Sequence, residues 1–295
     1  MYETILAPTD GSDHARRAAA HAGALAAAFN ADVHLLAVTD IQSAAGPFSA
    51  GGVDSEYRDR FENQARDWLT GTEGAVTDDV GRHTALREGK PAQTIAEYTS
   101  EVGADLITMG THGRSGVSRY VLGSVTERVL RLADAPVFTV GAEDRTDPGA
   151  PIEDVLVPTD GSERAATAIE HGMAFAGIDG ARIHAVSVLD DSLGLEDPAP
   201  LEDEVRGKME EEAHTATQRV ADAAAAAGLE AVVELRRGNP AAELLAYVDD
   251  AGIDVVAMGT QGRTGLNRYL LGSTTERVVR HAPVPVIAVH GREGE

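Results

Sequence analysis

MGTHGRSGVSRYVLGS, residues 109–124, returns 149 residues later as MGTQGRTGLNRYLLGS, residues 258–273. Eleven of the sixteen letters are identical, too many for a coincidence of composition. The match extends outward in both directions. ILAPTDGS (5–12) recurs as VLVPTDGS (155–162), and LREGKPAQTIAEY (86–98) as LRRGNPAAELLAY (235–247). ADLITMGT (104–111) recurs as IDVVAMGT (253–260), and LGSVTERVLRLADAPV (122–137) as LGSTTERVVRHAPVPV (271–286). A spacing of about 150 residues is too long for a solenoid and is the length of a whole domain. The chain therefore reads as two tandem domains, 1–143 and 153–295, joined by a polar linker over 144–152 that holds two prolines.

Each copy alternates short apolar runs with helical stretches. ETILAPT, ADVHLLAVT, the segment near 82–87, ADLITMG and PVFTV are the expected strands. Between them lie a helix started by Ser12 or Asp13, one around 57–69, one opened by Pro91, and one over 124–132. The second copy has a longer helix at about 201–227. Strands that alternate with helices give an α/β fold with a parallel, doubly wound sheet.

Ligands of such sheets gather beyond the carboxyl ends of the strands, where the strand order reverses. The doubled stretch begins at that end of strand four. Its spacing is G-x2-G-x9-G-S, through Gly110, Gly113, Gly123 and Ser124, and again through Gly259, Gly262, Gly272 and Ser273. Gly110 and Gly113 would permit a tight turn and a close approach of ligand to bare backbone. Gly123-Ser124 opens a helix whose N–H groups and dipole favour a phosphate. Arg114 and Arg119 are placed to supply neutralising charge. A competing reading needs no ligand: Ser124 to Glu127 and Ser273 to Glu276 both spell a capping box.

The G-x2-G-x9-G-S spacing, joined to PTDGS just past strand one in both copies, resembles the ATP-binding members of the universal stress protein family over nearly the whole chain. That resemblance implies two Rossmann-like (adenine nucleotide alpha hydrolase-like) domains, each a five-stranded parallel sheet of order 3-2-1-4-5 with helices on both faces. It implies one adenine nucleotide per domain, ATP or else AMP or ADP. The base and ribose would rest on Pro8, Thr9, Asp10 and Val38. Gly110, His112, Gly113, Arg114, Gly123, Ser124 and Val125 would meet the phosphates, with Met109 a further residue of the nucleotide site. The second set would be Pro158, Thr159, Asp160, Val188, Met258, Gly259, Gln261, Gly262, Arg263, Gly272, Ser273 and Thr274. Asp10 and Asp160 are the candidate ligands of a magnesium ion held with the phosphates. The family also implies association through the edge of strand five, here PVFTV and PVIAV, as an intramolecular pseudo-dimer, with a homodimer and an unidentified protein partner left open. His112 faces Gln261 as its twin. Both donate to phosphate, but only histidine takes up charge at mildly acidic pH.

Composition narrows the rest. The formal charge is -23, and Lys90 and Lys208 are the only lysines among 25 basic residues. Such a field repels nucleic acid and anionic membranes. An acidic, lysine-poor chain resembles the proteins of salt-accumulating halophiles. There are no cysteines, hence no disulfides or thiolate sites. No apolar run reaches the roughly 18 residues of a membrane span and the first residues lack a signal-peptide pattern, so a cytoplasmic protein is expected. P-loop, G-x-S-x-G and H-E-x-x-H motifs are absent, and SAGGVDS (49–55) falls in a variable segment after strand two and reads as linker. A stress-response sensor or regulator that binds nucleotide is the first expectation. A slow ATPase or nucleotide-transferring enzyme on the same sites, and a nucleotide-free chaperone-like protein, are the alternatives.

Overall fold

The computed structural model of the chain describes residues 1–41, 55–113, 122–190, 200–261 and 271–290. It divides into two compact units, Met1–Ala142 with Asp147–Gly149, and Glu143–Thr146 with Ala150–Glu295.

In the first unit the elements are β1 (Thr4–Thr9), α1 (Asp13–Phe29), β2 (Asp32–Thr39), α2 (Ser55–Glu73), β3 (Arg82–Glu88), α3 (Pro91–Val102), β4 (Leu106–Gly110), α4 (Ser124–Leu132) and β5 (Val137–Val140). β1 pairs in parallel with β2 on one side and β4 on the other, β3 flanks β2, and β5 flanks β4. Ile5, Leu6, Leu35, Leu36, Leu106 and Ile107 are completely buried, as central parallel strands covered on both faces must be.

Local signals account for the ends of the elements. Ser12 Oγ accepts from Ala15 N at 3.2 Å and caps α1, which stops at Asn30 in the left-handed region. Ala15, Ala18, Ala19, Ala22 and Ala26 form the buried side of α1, small enough to let it lie close on β1 and β4. Asp105 fixes where β1 begins: its Oδ2 accepts from the backbone N–H of Glu3 at 2.8 Å and of Thr4 at 3.1 Å.

The second unit repeats this order with β6 (Asp154–Pro158), α5 (Glu163–Asp179), β7 (Arg182–Leu189), α6 (Pro200–Ala226), β8 (Ala231–Arg237), α7 (Pro240–Ala251), β9 (Val255–Gly259), α8 (Ser273–His281) and β10 (Val286–Val289). β6 lies between β7 and β9, with β8 beyond β7 and β10 beyond β9. Ser162 caps α5 as Ser12 caps α1, and Asp254 binds the N–H groups of Glu153 and Asp154 as Asp105 binds those of Glu3 and Thr4. Among the described residues no helix is long and apolar enough to cross a membrane.

One feature of the register prepares a site. β1 and β2 are paired through six residues, from Thr4 to Thr9, but β1 and β4 only at Ile5–Leu106 and Leu6–Ile107. β6 and β9 are likewise paired only at Val155–Val255 and Leu156–Val256. The carboxyl halves of these central strands separate, and a crevice opens where the winding of the sheet reverses.

Candidate functional site

The crevice of the second unit is a cleft of about 360 Å³. Pro158, Thr159 and Asp160 come to it from the end of β6, Val188 from β7, Met258 and Gly259 from β9, and Gln261 from just past β9. Gly272, Ser273 and Thr274 close it at the start of α8. The cleft thus brings together ten residues that the sequence singled out. Gly262 and Arg263 lie outside the described residues, as does Arg114 in the first unit.

The loop after the first strand is held by its own side chains. Asp160 Oδ1 accepts from Ser162 N at 3.0 Å, and Thr159 Oγ1 from Gly161 N at 3.1 Å. Asp10 and Thr9 repeat both bonds, to Ser12 N at 3.0 Å and Gly11 N at 3.2 Å. Gly11 and Gly161 carry φ of 76° and 80°, which an L side chain rarely adopts, so this turn requires glycine. In the first unit α2 seals the loop: Trp68 packs where a Gly11 side chain would be, and Thr72 Oγ1 meets Thr9 Oγ1 at 2.8 Å.

The glycines at and just past the end of β4 are needed for a reason other than the turn freedom expected of them. Neither Gly110 nor Gly113 has positive φ. A side chain on Gly110 would lie 3.0 Å from His14 Cβ, and one on Gly113 would lie 2.6 Å from Asp10 Oδ2. The bare backbone lets the β4 loop close on α1 and on the Asp10 loop. Gly123 serves similarly, for its N–H donates to Thr111 O at 2.8 Å and a Cβ would stand 2.9 Å from the same oxygen. Gly272 N bonds Thr260 O at 2.8 Å in the second unit.

The capping-box reading is corrected by the structure. Gly123 and Gly272 occupy the N-cap positions, Ser124 and Ser273 are the first helical residues, and neither helix has a side-chain cap. The acids of the supposed boxes are engaged one turn later, Glu127 with Arg131 at 2.5 Å and Glu276 with Arg280. The third residue of each helix has a role that the sequence did not suggest. Thr126 Oγ1 donates to Gly110 O, and Thr275 Oγ1 to Gly259 O, both at 2.8 Å, tying each helix start to the end of its strand. The first turns of α4 and α8 thus present backbone N–H groups without a side-chain acceptor, the arrangement that favours an anion.

In the first unit the remaining residues occupy matching places. Pro8 and Thr9 end β1, Val38 lies next to the end of β2, and Met109 and Gly110 end β4. Val125 is in the first turn of α4. His112 is buried, with Nδ1 2.9 Å from Thr111 Oγ1, and its ring centroid lies 5.7 Å from that of His14. Gln261 is buried at the corresponding place.

The model of the universal stress protein family matches residues 1–141 and again 151–290. The chain belongs to the universal stress protein family. A universal stress protein of Mycolicibacterium smegmatis is 27% identical over 291 residues, covering 95% of this chain and 94% of its own length. One from Methanocaldococcus jannaschii is 35% identical over 150 residues, 48% of this chain and 82% of that protein. The crystal structure of a universal stress protein from Archaeoglobus fulgidus superposes with a TM-score of 0.70 at 23% identity, covering 99% of this chain and 97% of that one, which shows the shared fold.

The cleft of this universal stress protein also has walls that sequence reasoning missed. Ala165, Val186, Asp190, Pro240, Leu244 and Thr275 line it. For Asp190 a signal existed, because the second strand and the residue after it read VTD in one copy and VLD in the other. For metal, no group of three or more acidic or histidine side chains is gathered among the described residues. The cleft offers two carboxylates, Asp160 in the loop after β6 and Asp190 past β7, and Asp10 is the counterpart of Asp160 in the first unit. That suits magnesium, which binds through one or two carboxylates and takes its other ligands from phosphates and water.

Proposed function

We propose that each repeat binds one adenine nucleotide, ATP in the first place, and that the protein is a cytoplasmic stress-response sensor or regulator rather than a fast catalyst. The observation that carries this reading is the second-unit cleft, with a hydrophobic side over β7 and a helix start without a side-chain cap on the opposite side. The base and ribose would lie on Pro158, Thr159, Asp160 and Val188. The phosphates would meet Gly259, Gln261, Gly272, Ser273 and Thr274, joined by Gly262 and Arg263 from the β9 loop. The first unit would use Pro8, Thr9, Asp10, Val38, Met109, Gly110, His112, Gly113, Arg114, Gly123, Ser124 and Val125 in the same way. Bound magnesium would supply charge neutralisation of the phosphates, with Asp10 and Asp160 as its protein ligands.

A ligand that binds only the native state must stabilise it, by about 2.7 kcal/mol at a hundredfold excess over Kd. Melting in a panel of ATP, ADP, AMP and cAMP therefore tests the reading. A rise in Tm that saturates with an adenine nucleotide supports it, and no shift with any of the four refutes it. Multiple turnovers of ATP with magnesium, abolished in Asp10→Ala/Asp160→Ala, would instead favour an enzyme. We also read the charge of -23 as a salt adaptation. Added KCl should then raise Tm by screening the self-repulsion of the carboxylates.

A further inference from the structure

The two ends of the second-unit cleft differ chemically. On the β9 side it is bounded by Gly272, Ser273 and Thr274 at the start of α8. On the β7 side it is bounded by Val186, Val188, Leu244 and Pro240, an apolar surface suited to a flat ring. β6 stands between β7 and β9, so these two ends face one another across the crevice. Asp190 is the first residue past β7 and lines the cleft on the apolar side. No basic side chain lines the cleft among the described residues.

An ionised carboxylate accepts hydrogen bonds and donates none. At this end of the cleft it rewards a ligand that brings N–H or O–H groups and penalises one that brings a second anion. Asp160, the other acid of the cleft, lies in the loop after β6, where its Oδ1 accepts from the N–H of Ser162. In the first copy Asp40 follows β2 as Asp190 follows β7, although the residues after them, Ile41 and Asp191, differ.

We propose that Asp190, and Asp40 in the first copy, are specificity-determining residues that take a hydrogen-bond donor of the nucleoside and confine anionic groups to the helix end of the cleft. The inference rests on the nucleotide reading given above. The donor is either the amino group of the base or a ribose hydroxyl, and the two are separable by analogue.

The test uses the full chain, with calorimetric titration of ATP, inosine triphosphate, 2′-deoxy-ATP and 3′-deoxy-ATP. Wild type is compared with Asp40→Ala/Asp190→Ala, which removes the acceptor, and with Asp40→Asn/Asp190→Asn, which keeps an acceptor oxygen and removes the charge. Melting without nucleotide checks that each variant is folded. Loss of a hydrogen bond to a charged group predicts about a tenfold weakening of ATP in the alanine variant. One analogue should already be weak on wild type and lose nothing further in that variant: inosine triphosphate if the base amino group is read, a deoxy analogue if the ribose is. If the ribose is read, the asparagine variant should also gain affinity for an adenosine triphosphate phosphorylated at the 3′ position. ATP affinity unchanged within twofold in the folded alanine variant, or equal weakening of ATP and all three analogues, overturns the specificity role and leaves nucleotide binding standing. No binding of any of these to wild type overturns both.

Discussion

The two units have the same loop after the first strand but different supports around it. In the first, the indole of Trp68 covers Gly11 and Thr72 binds Thr9. In the second, a groove of about 290 Å³ borders Gly161, lined by Ala216 and Thr215 with Lys208, Glu211, Glu212 and Arg219 of α6. The histidines of the second strands differ as well. His34 pairs in register with His83 on β3, their ring centroids 4.5 Å apart, and its Nδ1 lies 3.1 Å from the Tyr98 hydroxyl. His184 likewise sets its Nδ1 2.7 Å from the Tyr247 hydroxyl, but it pairs with Val232, and its Nε2 lies 2.7 Å from Asp154 Oδ1, which Arg182 also binds at 2.7 Å. The loop after the first strand is kept, while each copy has its own way of holding it and of partnering the histidine of its second strand, half-buried at His34 and buried at His184.

The largest difference should come from Trp68→Ala. Removing the half-buried indole uncovers the Gly11 turn and should destabilise the first unit by about 2–3 kcal/mol, at or below the range for a fully buried aromatic. Hydrogen exchange should speed up in β1 and α1 with β6 and α5 unchanged; equal loss in both units would break the contrast. Next is Asp154→Ala, which leaves Arg182 and the buried His184 without their acid, at a cost of about 2 kcal/mol. Its effect should appear in β6 and β7 exchange, with β1 and β2 unaffected.

Acidification should act on the first unit. Burial lowers the pKa of His34, and the neighbouring His83 lowers it further, against a smaller opposing pull from Asp32. A histidine whose folded pKa lies below its unfolded value of about 6.5 binds its proton more readily when unfolded, so stability is full above that pH and falls as pH drops through it. Exchange in β2 and β3 should therefore accelerate between about pH 7 and pH 5. His83→Val, which copies the second unit, should flatten this dependence; a profile unchanged by that substitution would contradict the account. The smallest effect is expected at the crevice loops. Exchanging the pair, His112→Gln with Gln261→His, should exchange a few-fold difference in nucleotide affinity between the two sites. If the difference stays with the first site, His112 is not its source.

The sequence carried the architecture because the repeat itself was long and its strands were uninterrupted apolar runs such as TILAPT and LITMG. The crevice residues were legible for the same reason, being doubled at fixed spacing. What it did not carry were relations across elements that no local pattern encodes. Thr126 reads as filler inside a capping box until its hydroxyl is seen on Gly110 O. Gly113 reads as a turn residue, although its lack of a side chain makes room for Asp10. Trp68 and Asp154 sit on surfaces that only the fold brings to the Gly11 turn and to His184. The loop residues Arg114, Gly262 and Arg263, and most of SAGGVDS, lie outside the described residues.

The central claim is that each of the two crevices holds one adenine nucleotide. Protein saturated with ATP, freed of excess ligand and denatured, should release close to two equivalents of adenine nucleotide per chain by mass spectrometry. Release should fall to one equivalent in Gly113→Val, whose side chain would displace Asp10 from the first loop. Recovery of no nucleotide from wild-type protein after such soaking would contradict the account.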